Sequence, residues 1–185
     1  MDLVSVIKYL YPTAEVLKDF VIANYGDGPV IEFWDDKVLG EKPSDSLLVE
    51  TWDTVIKIKS LADIKIHEFT RLTKEITGKG FTSNALGEDY FYSTLNTNED
   101  RDQLNLTAAV VSSIINEHVD GFVMPIWCTK VSDNTLYYML HNVSQIRQMA
   151  ADGKRLVISY QARLDTAIKS LRACKTEEEI NSITL

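Results

Sequence analysis

Residues 80–106 read GFTSNALGEDYFYSTLNTNEDRDQLNL, and this stretch indicates a β-hairpin that runs directly into a helix. Strands are predicted over residues 81–86 and 90–95, since alternating side chains around a turn containing Gly87 are typical of hairpins. Thr97 is the predicted N-cap of the helix that follows, and Asp100 suits the positive end of its dipole. This helix is predicted to bury one stripe: Leu104, Ala108, Val111, Ile115 and His118.

The residues before this hairpin predict a long helix. Ser44 is its expected N-cap, and Gly78 and Gly80 are expected to end it. Two forms stay open, a continuous helix and one interrupted near Ser60. Lys59 and Thr73 occupy two polar positions of its seam. The apolar seam positions are Leu48, Trp52, Val55, Ala62, Ile66, Phe69 and Ile76.

The hairpin-to-helix pattern recurs after residue 120. Strands are predicted over residues 121–128 and 135–140, with Pro125 favouring a sheet edge or a bulge. Asn142 and Gln145 resemble a capping box that starts a second long helix, and Thr176 and Glu179 offer another for a short terminal helix. The second long helix places ten residues in strict 3,4 alternation: Val143, Ile146, Ala150, Gly153, Val157, Tyr160, Leu164, Ala167, Leu171 and Cys174. This seam fits either packing against the 48–76 helix or a homo-oligomer contact through the 143–174 helix.

The N-terminal residues predict a small separate unit. A short helix or turn over residues 3–10 is stopped by Pro12, and a hairpin follows with strands 19–24 and 30–34. Residues 35–43 form a polar link. Strand alternation places four apolar side chains of the hairpin on similar faces: Phe20, Ile22, Ile31 and Phe33.

These elements together predict an α+β fold. It starts with a small N-terminal β-hairpin unit and continues with long helices that alternate with two antiparallel β-hairpins, in the order helix, hairpin, helix, hairpin, long helix. The predicted divisions are an N-terminal hairpin unit (1–42), a linker with the start of the long helix (43–56), and an α+β domain (57–185).

Composition narrows the classes of function. The formal net charge is −8, and the 19 Lys and Arg residues are scattered, which disfavours nucleic acid as a partner. The N-terminal apolar run is too short for a signal peptide, and no stretch approaches the length of a membrane span. We therefore expect synthesis in the cytoplasm and no membrane partner. Cys128 and Cys174 form no CxxC pair and are expected to be buried or idle thiols.

The chain shows no catalytic signature, and we expect a protein that is not an enzyme and needs no cofactor. The histidines lack the i, i+4 spacing of a metal site and are predicted at helix ends or exposed positions, so no metal site is expected. The carboxylates of residues 98–102 lack the ligand pattern of a calcium loop. We interpret them as solvated and capping side chains at the start of a helix. No Gly-x-Ser-x-Gly elbow is present.

Aromatic residues concentrate on the hairpins. Strands favour aromatic side chains, so most are expected on a half-buried sheet face. Tyr137 and Tyr138 are adjacent and must point to opposite faces, so at least one of the two rings is not directed to the same core. An exposed ring there would suit a protein interface. The candidate protein-interaction residues are Phe33, Trp34, Tyr90, Tyr92, Trp127, Tyr137 and Tyr138.

The first 50 residues contain four short motifs: Tyr11-Pro12, Lys18-Asp19-Phe20, Gly26-x-Gly28 and Ile31-Glu32-x-Trp34. In these motifs and their order the N-terminal residues resemble small proteins encoded beside tail-fibre genes in Bacillus defective prophages.

Residues 57–185 contain a second set of recognisable positions: Gly80-Phe81, Ala85-Leu86-Gly87, Tyr90, Asp102-Gln103-x-Asn105-Leu106, Trp127, His141, Gln145, Gly153 and Thr176-x-x-Glu179-Ile180. With this pattern the segment resembles an uncharacterised domain of phage tail and tail-fibre-region proteins. In this family-based interpretation the polar side chains of Asp102, Gln103 and Asn105 fix the hairpin onto the helices.

The two resemblances imply a non-enzymatic bacteriophage tail protein that acts by protein–protein contacts. It would be a structural component of the tail fibre or baseplate, or an assembly chaperone for it, with a tail-fibre or baseplate protein as partner. The host cytoplasm during assembly and the virion tail are the implied locations. The alternative is a small-ligand or glycan binder, or an enzyme, that uses a pocket around Asp102, Gln103, Asn105 and Trp127.

Overall fold

A computed structural model of the chain describes residues 1–95 and 102–185, and the predicted Thr97 cap and Asp100 lie outside these residues. The described elements confirm an α+β fold. The helices are α1 (Leu3–Leu10), α2 (Asp36–Leu39), α3 (Asp45–Lys79), α4 (Asp102–Ile115), α5 (Val143–Ala173) and α6 (Glu177–Ser182). The strands are β1 (Phe20–Asn24), β2 (Pro29–Trp34), β3 (Gly80–Ser83), β4 (Tyr90–Ser93), β5 (Val123–Lys130) and β6 (Thr135–Asn142).

The chain divides into two compact units. Unit 1 contains Met1–His67 and Ala167–Thr184, and unit 2 contains Glu68–Thr166 and Leu185. The predicted divisions at residues 42 and 56 stay a prediction.

Helix α1 begins where expected in unit 1. The Asp2 side chain accepts a hydrogen bond from the Ser5 amide at 3.2 Å and so caps the helix. Leu3, Val6 and Ile7 recur at helical spacing and are buried in the core of this unit. The amphipathic pattern therefore decides which face of α1 is covered.

The first hairpin contains a β-bulge that the alternating pattern did not reveal. Phe20 pairs with Trp34 and Ile22 pairs with Ile31, so Glu32 is an extra residue in β2. The bulge reverses the alternation after it and places Trp34 among the packed residues, whereas Phe33 is 46% exposed. The predicted common face of Phe20, Ile22, Ile31 and Phe33 was therefore wrong at Phe33.

Helix α3 is continuous over 35 residues, so the interruption near Ser60 does not occur. Ser44 caps it as predicted, because its hydroxyl accepts a hydrogen bond from the Leu47 amide at 3.3 Å. The predicted seam includes Lys59, but the neighbouring Ile58 is the residue that is buried. The Lys59 ammonium donates a hydrogen bond to the Ser5 hydroxyl at 2.9 Å.

Glycine ends α3 for a steric reason. Gly80 has a φ of +140°, and a Cβ at this position would collide with the Tyr92 carbonyl and the Phe91 ring. The chain therefore turns from α3 into β3 at the one residue type that tolerates both constraints.

The two later hairpins form one antiparallel sheet in unit 2, with strand order β3-β4-β5-β6. They join through Tyr90 opposite Lys130 and Phe91 opposite Thr129. Pro125 lies in β5 beyond these two pairs, where β5 pairs only with β6 among the described strands, so its missing amide breaks no hydrogen bond to β4.

Helix α4 buries a different face from the predicted one. Ala109 and Ser113 are its buried residues, and Leu106 and Val110 pack beside the core of unit 2. The predicted stripe lies on the opposite side and is exposed at each of its positions: Leu104, Ala108, Val111, Ile115 and His118.

Helix α5 follows its predicted periodicity, since each of the ten seam residues is buried or half-buried. Ile146 and Met149 belong to the core of unit 2. Helix α6 has the predicted capping box, in which the Thr176 hydroxyl accepts from the Glu179 amide at 3.2 Å and the Glu179 carboxylate accepts from the Thr176 amide at 3.2 Å. A subunit contact through α5 stays a prediction.

Candidate functional site

Trp127 and Tyr138 form an exposed aromatic pair on the sheet of unit 2. They lie directly opposite each other on β5 and β6, their ring centroids are 4.6 Å apart, and each side chain is 56% exposed. Large aromatic rings left in water at this separation are typical of contact surfaces, because they offer apolar area together with polar tips.

The aromatic pair belongs to a larger apolar surface, which we name the outer sheet face. Alternation along β5 and β6 puts every second side chain on this face, and β5 and β6 pair without a register shift. The outer sheet face consists of Val123, Trp127, Leu136, Tyr138 and Leu140, all of them exposed. The opposite face carries Ile126 and Cys128 into the core.

The other predicted contact residues lie in several environments. Tyr90 and Tyr92 are buried in the core of unit 2, and Tyr137 is half-buried with its ring edge against Tyr90 at 6.4 Å. Trp34 is half-buried and packs on Tyr11 at 5.1 Å. These four predicted residues therefore build the cores, and Phe33 is an isolated exposed ring on β2.

A groove separates the outer sheet face from α4. Its volume is about 510 Å³, and both Trp127 and Tyr138 line it. Asp102, Asn105 and Ala108 of α4 form part of the other wall. The structure thus brings together three of the four residues of the predicted ligand pocket. Gln103 lines a different cavity of about 490 Å³ beside Phe81 and Gly153.

The exposed face of α4 extends this apolar surface. We name Leu104, Ala108, Val111 and Ile115 the α4 stripe. Ile115 is 74% exposed, and Ala108 lines the groove with Trp127, so the stripe adjoins the outer sheet face. Asn105 is exposed on the same helix and lines the groove together with Phe91 and Ser93 of β4, and its role in fixing the hairpin stays a prediction.

Sequence reasoning missed this surface because α4 is apolar on two sides. Residues 103–115, QLNLTAAVVSSII, contain no charged side chain. Helices of globular proteins ordinarily place charges on the solvent face. The absence of charge was therefore the signal that α4 would leave an apolar face exposed whichever side it buried.

A buried polar cluster lies behind the outer sheet face. His141 is fully buried, which corrects the prediction that the histidines lie at exposed positions or helix ends. Its Nδ1 donates to the Met139 carbonyl at 2.9 Å, so the neutral ring accepts at Nε2 from the Tyr92 hydroxyl at 2.8 Å. This pairing satisfies both ring nitrogens inside the core.

Burial shifts the pKa of each group in this cluster in the direction that favours its neutral form. It lowers the pKa of His141, raises the pKa of Tyr92, and raises the pKa of the Cys128 thiol to about 11. A thiol with a raised pKa is a poor nucleophile at neutral pH. The cluster stabilises the sheet, and Cys128 is the buried thiol that we expected.

Within residues 1–95 and 102–185, no group of three or more His, Cys, Asp and Glu side chains is placed to hold a metal ion. None of the helices in the described part of the chain has both the length and the apolarity of a membrane span.

Residues 3–60 match the model of the XkdW protein family. This is a family of Bacillus prophage-type phage proteins, and the match associates the N-terminal third of the chain with phage proteins. The matched stretch includes α1, β1, β2 and α2 of unit 1. No curated protein and no solved structure matches the chain. The tail-fibre association and the resemblance of residues 57–185 stay predictions.

Proposed function

We propose that this phage-associated chain is a non-enzymatic tail protein, a structural component of or an assembly factor for the tail fibre or baseplate. The observation that carries the proposal is the apolar surface of unit 2, formed by the outer sheet face and the α4 stripe. The XkdW match supports the phage context.

The surface has the properties of a protein-contact site. Contiguous exposed apolar patches are uncommon on monomers and mark interaction sites. Trp127 lies at the groove between the two walls, where a partner side chain can cover its ring. Truncating such an anchor costs about 2 kcal/mol of binding free energy or more, which is roughly thirty-fold in affinity.

The proposed partner is a tail-fibre or baseplate protein, met in the host cytoplasm during assembly or retained in the virion tail. An apolar segment of that protein, such as an amphipathic helix, suits the groove, because apolar side chains of both walls line it, among them Leu106 and Ala108 of α4 and Trp127 of the sheet.

Co-purification with the neighbouring tail-fibre protein tests this proposal. We expect Trp127→Ser to reduce the recovered complex strongly. The matched control is Ile64→Ser in unit 1, since Ile64 is 62% exposed but lies on α3. Equal loss with both variants, or no complex with any tail protein, would contradict the proposal.

Mass spectrometry of purified particles separates the two forms of the proposal. Stoichiometric copies in the particle indicate a structural component. Absence from particles, together with failed fibre attachment when the gene is deleted, indicates an assembly chaperone.

A second candidate function is glycan or small-ligand binding in the groove. It is supported by Asp102 and Asn105, which offer hydrogen-bonding groups in the same groove as the rings of Trp127 and Tyr138. A thermal-shift screen against glycans and nucleotides tests it. A ligand that raises the melting temperature of the wild type but not of Asn105→Ala supports this function. A screen in which no ligand changes the melting temperature would contradict it.

A further inference from the structure

Strand β6 is an open edge of the sheet in unit 2. The strand order places β6 beside β5 alone among the described strands, so one row of its backbone amides and carbonyls has no strand beside it. Leu136, Tyr138 and Leu140 are each more than half exposed along it. An open edge of this kind is a template for pairing with another strand.

The sequence of β6 lacks the usual protection of an edge strand. Proteins block such edges with charged residues, proline, bulges or very short strands. Residues 135–142, TLYYMLHN, contain no Lys, Arg, Asp, Glu or Pro. The strand is eight residues long and pairs with β5 throughout without a bulge. The edge is therefore suited to a partner strand.

The strand is also complementary to itself in one antiparallel register. A two-fold contact requires that the same surface matches its own copy. With Tyr138 opposite Tyr138 of a second copy, Leu136 lies opposite Leu140, and each exposed apolar side chain of β6 meets another. Two neighbouring registers also keep the same faces of the two strands together. An axis at Tyr137 would place Leu140 opposite Asn134, and an axis at Met139 would place Leu136 opposite Asn142, so each leaves a leucine opposite a polar residue.

We propose that β6 pairs antiparallel with β6 of a second copy of this chain, about a two-fold axis at Tyr138. The paired sheet has eight strands, and the two outer sheet faces become one continuous surface. No charge lies on β6 of either copy, so the pairing brings no like charges into direct opposition despite the net charge of −8 per chain. This inference does not rest on the proposed function, because the dimer forms in the isolated protein.

Cysteine cross-linking tests the register. In a Cys174→Ser background, Tyr138→Cys places two thiols opposite each other at the axis, where facing Cβ atoms are about 4.5–5.5 Å apart. We expect mild oxidation to convert most of this variant to a covalent dimer. A mixture of Leu136→Cys with Leu140→Cys should give the mixed disulfide, because these positions face each other across the axis.

Leu136→Cys alone is the matched control. Its two copies lie four residues apart along the strands, about 14 Å, which is too far for a disulfide. Equally fast self-cross-linking of Leu136→Cys would show that the contact has no fixed register and would overturn the proposal.

Light scattering on the wild-type chain gives an independent readout. We expect a dimer that Tyr138→Lys dissociates, since two lysines would then face each other, whereas Trp127→Lys on β5 keeps it. A wild-type chain that stays monomeric at high concentration, or that pairs only with another protein, overturns the proposal. So does a dimer that both variants dissociate equally.

Discussion

Gly153 is the position in α5 where the helix backbone lies against a core aromatic ring. A Cβ at this position would lie 2.8 Å from Cε1 of Phe81, closer than real contacts allow. Phe81 in turn stacks on Tyr92, with centroids 5.5 Å apart, and cannot move freely. A glycine is therefore needed at position 153 because α5 packs closely against Phe81, and not because the chain turns there.

We expect Gly153→Ala to destabilise the protein. Overpacking costs about 1–3 kcal/mol. Since Phe81 is stacked and cannot move freely, we expect the cost here to exceed the gain of about 1 kcal/mol of alanine over glycine in a helix. Gly78→Ala in α3 is the control, because its Cβ meets nothing within 4 Å and should stabilise the helix. Urea unfolding of both variants measures the difference. Stabilisation by both would show that Phe81 yields without cost.

His141 predicts a pH dependence of stability. Burial disfavours the imidazolium and lowers the pKa of His141 in the native state. The unfolded chain therefore takes up a proton at a higher pH than the native protein does. As pH falls below about 6.5, the ordinary value, the free energy of unfolding should decrease until the pH passes the lowered native pKa.

Urea unfolding across this pH range, for the wild type and His141→Gln, measures the effect. The decrease below neutral pH should be smaller in His141→Gln, although its absolute stability is lower because Tyr92 then loses its partner. His67→Gln, at an exposed histidine, controls for removing a histidine from the surface. An unchanged pH profile in His141→Gln would contradict the assignment.

At the scale of the element, the orientation of α4 can be tested directly. Val111 belongs to the α4 stripe, and Ala109 faces the core with 1% exposure. We expect Val111→Lys to change the free energy of unfolding by no more than about 0.5 kcal/mol. Ala109→Lys should cost about 3 kcal/mol or more, since it buries an unpaired charge.

Thermal unfolding followed by circular dichroism distinguishes these two variants. The predicted stripe of the sequence analysis required the opposite order, with Val111 in the core. A large loss of stability in Val111→Lys, with Ala109→Lys tolerated, would show that the face of α4 containing Val111 is the buried one.

At the scale of the whole molecule, the charge of −8 opposes self-association. Screening shortens the reach of this repulsion, from about 30 Å at 0.01 M salt to about 8 Å at 0.15 M. Since β6 carries no charge, we expect the proposed dimer to become tighter as salt rises over this range. Sedimentation equilibrium measures it. Weakening by salt would mean that ion pairs hold the contact together, against the proposed strand pairing.

Helices and their ends could be predicted from the sequence where periodicity and capping favoured the same local structure. The ten seam positions of α5 are buried or half-buried as expected, because every charged residue of the helix lies outside this seam. The caps at Ser44 and Thr176 form as expected, because capping depends on neighbours within three residues. The fold class follows from these elements.

Long-range choices were not predictable from the same patterns. Helix α4 is apolar on two sides, and the core of unit 2 selects Ala109 and Ser113. The bulge at Glu32 reverses an alternation that looked regular. Two hairpins joined into one sheet at Tyr90 and Phe91. Each depends on residues distant in the chain, and periodicity contains no information about them.

The order and type of the longer elements were thus already determined by the amino-acid sequence, since hydrogen bonding, capping and periodicity act over a few residues. The short helix α2 (Asp36–Leu39), in contrast, lies inside the predicted polar link. Which apolar surfaces stay uncovered was decided by tertiary packing. The outer sheet face and the α4 stripe are exposed because the core of unit 2 covers the other side of the sheet and of α4, and the edge of β6 is open because β6 is last in the strand order. The candidate contact surface is what that packing leaves in water.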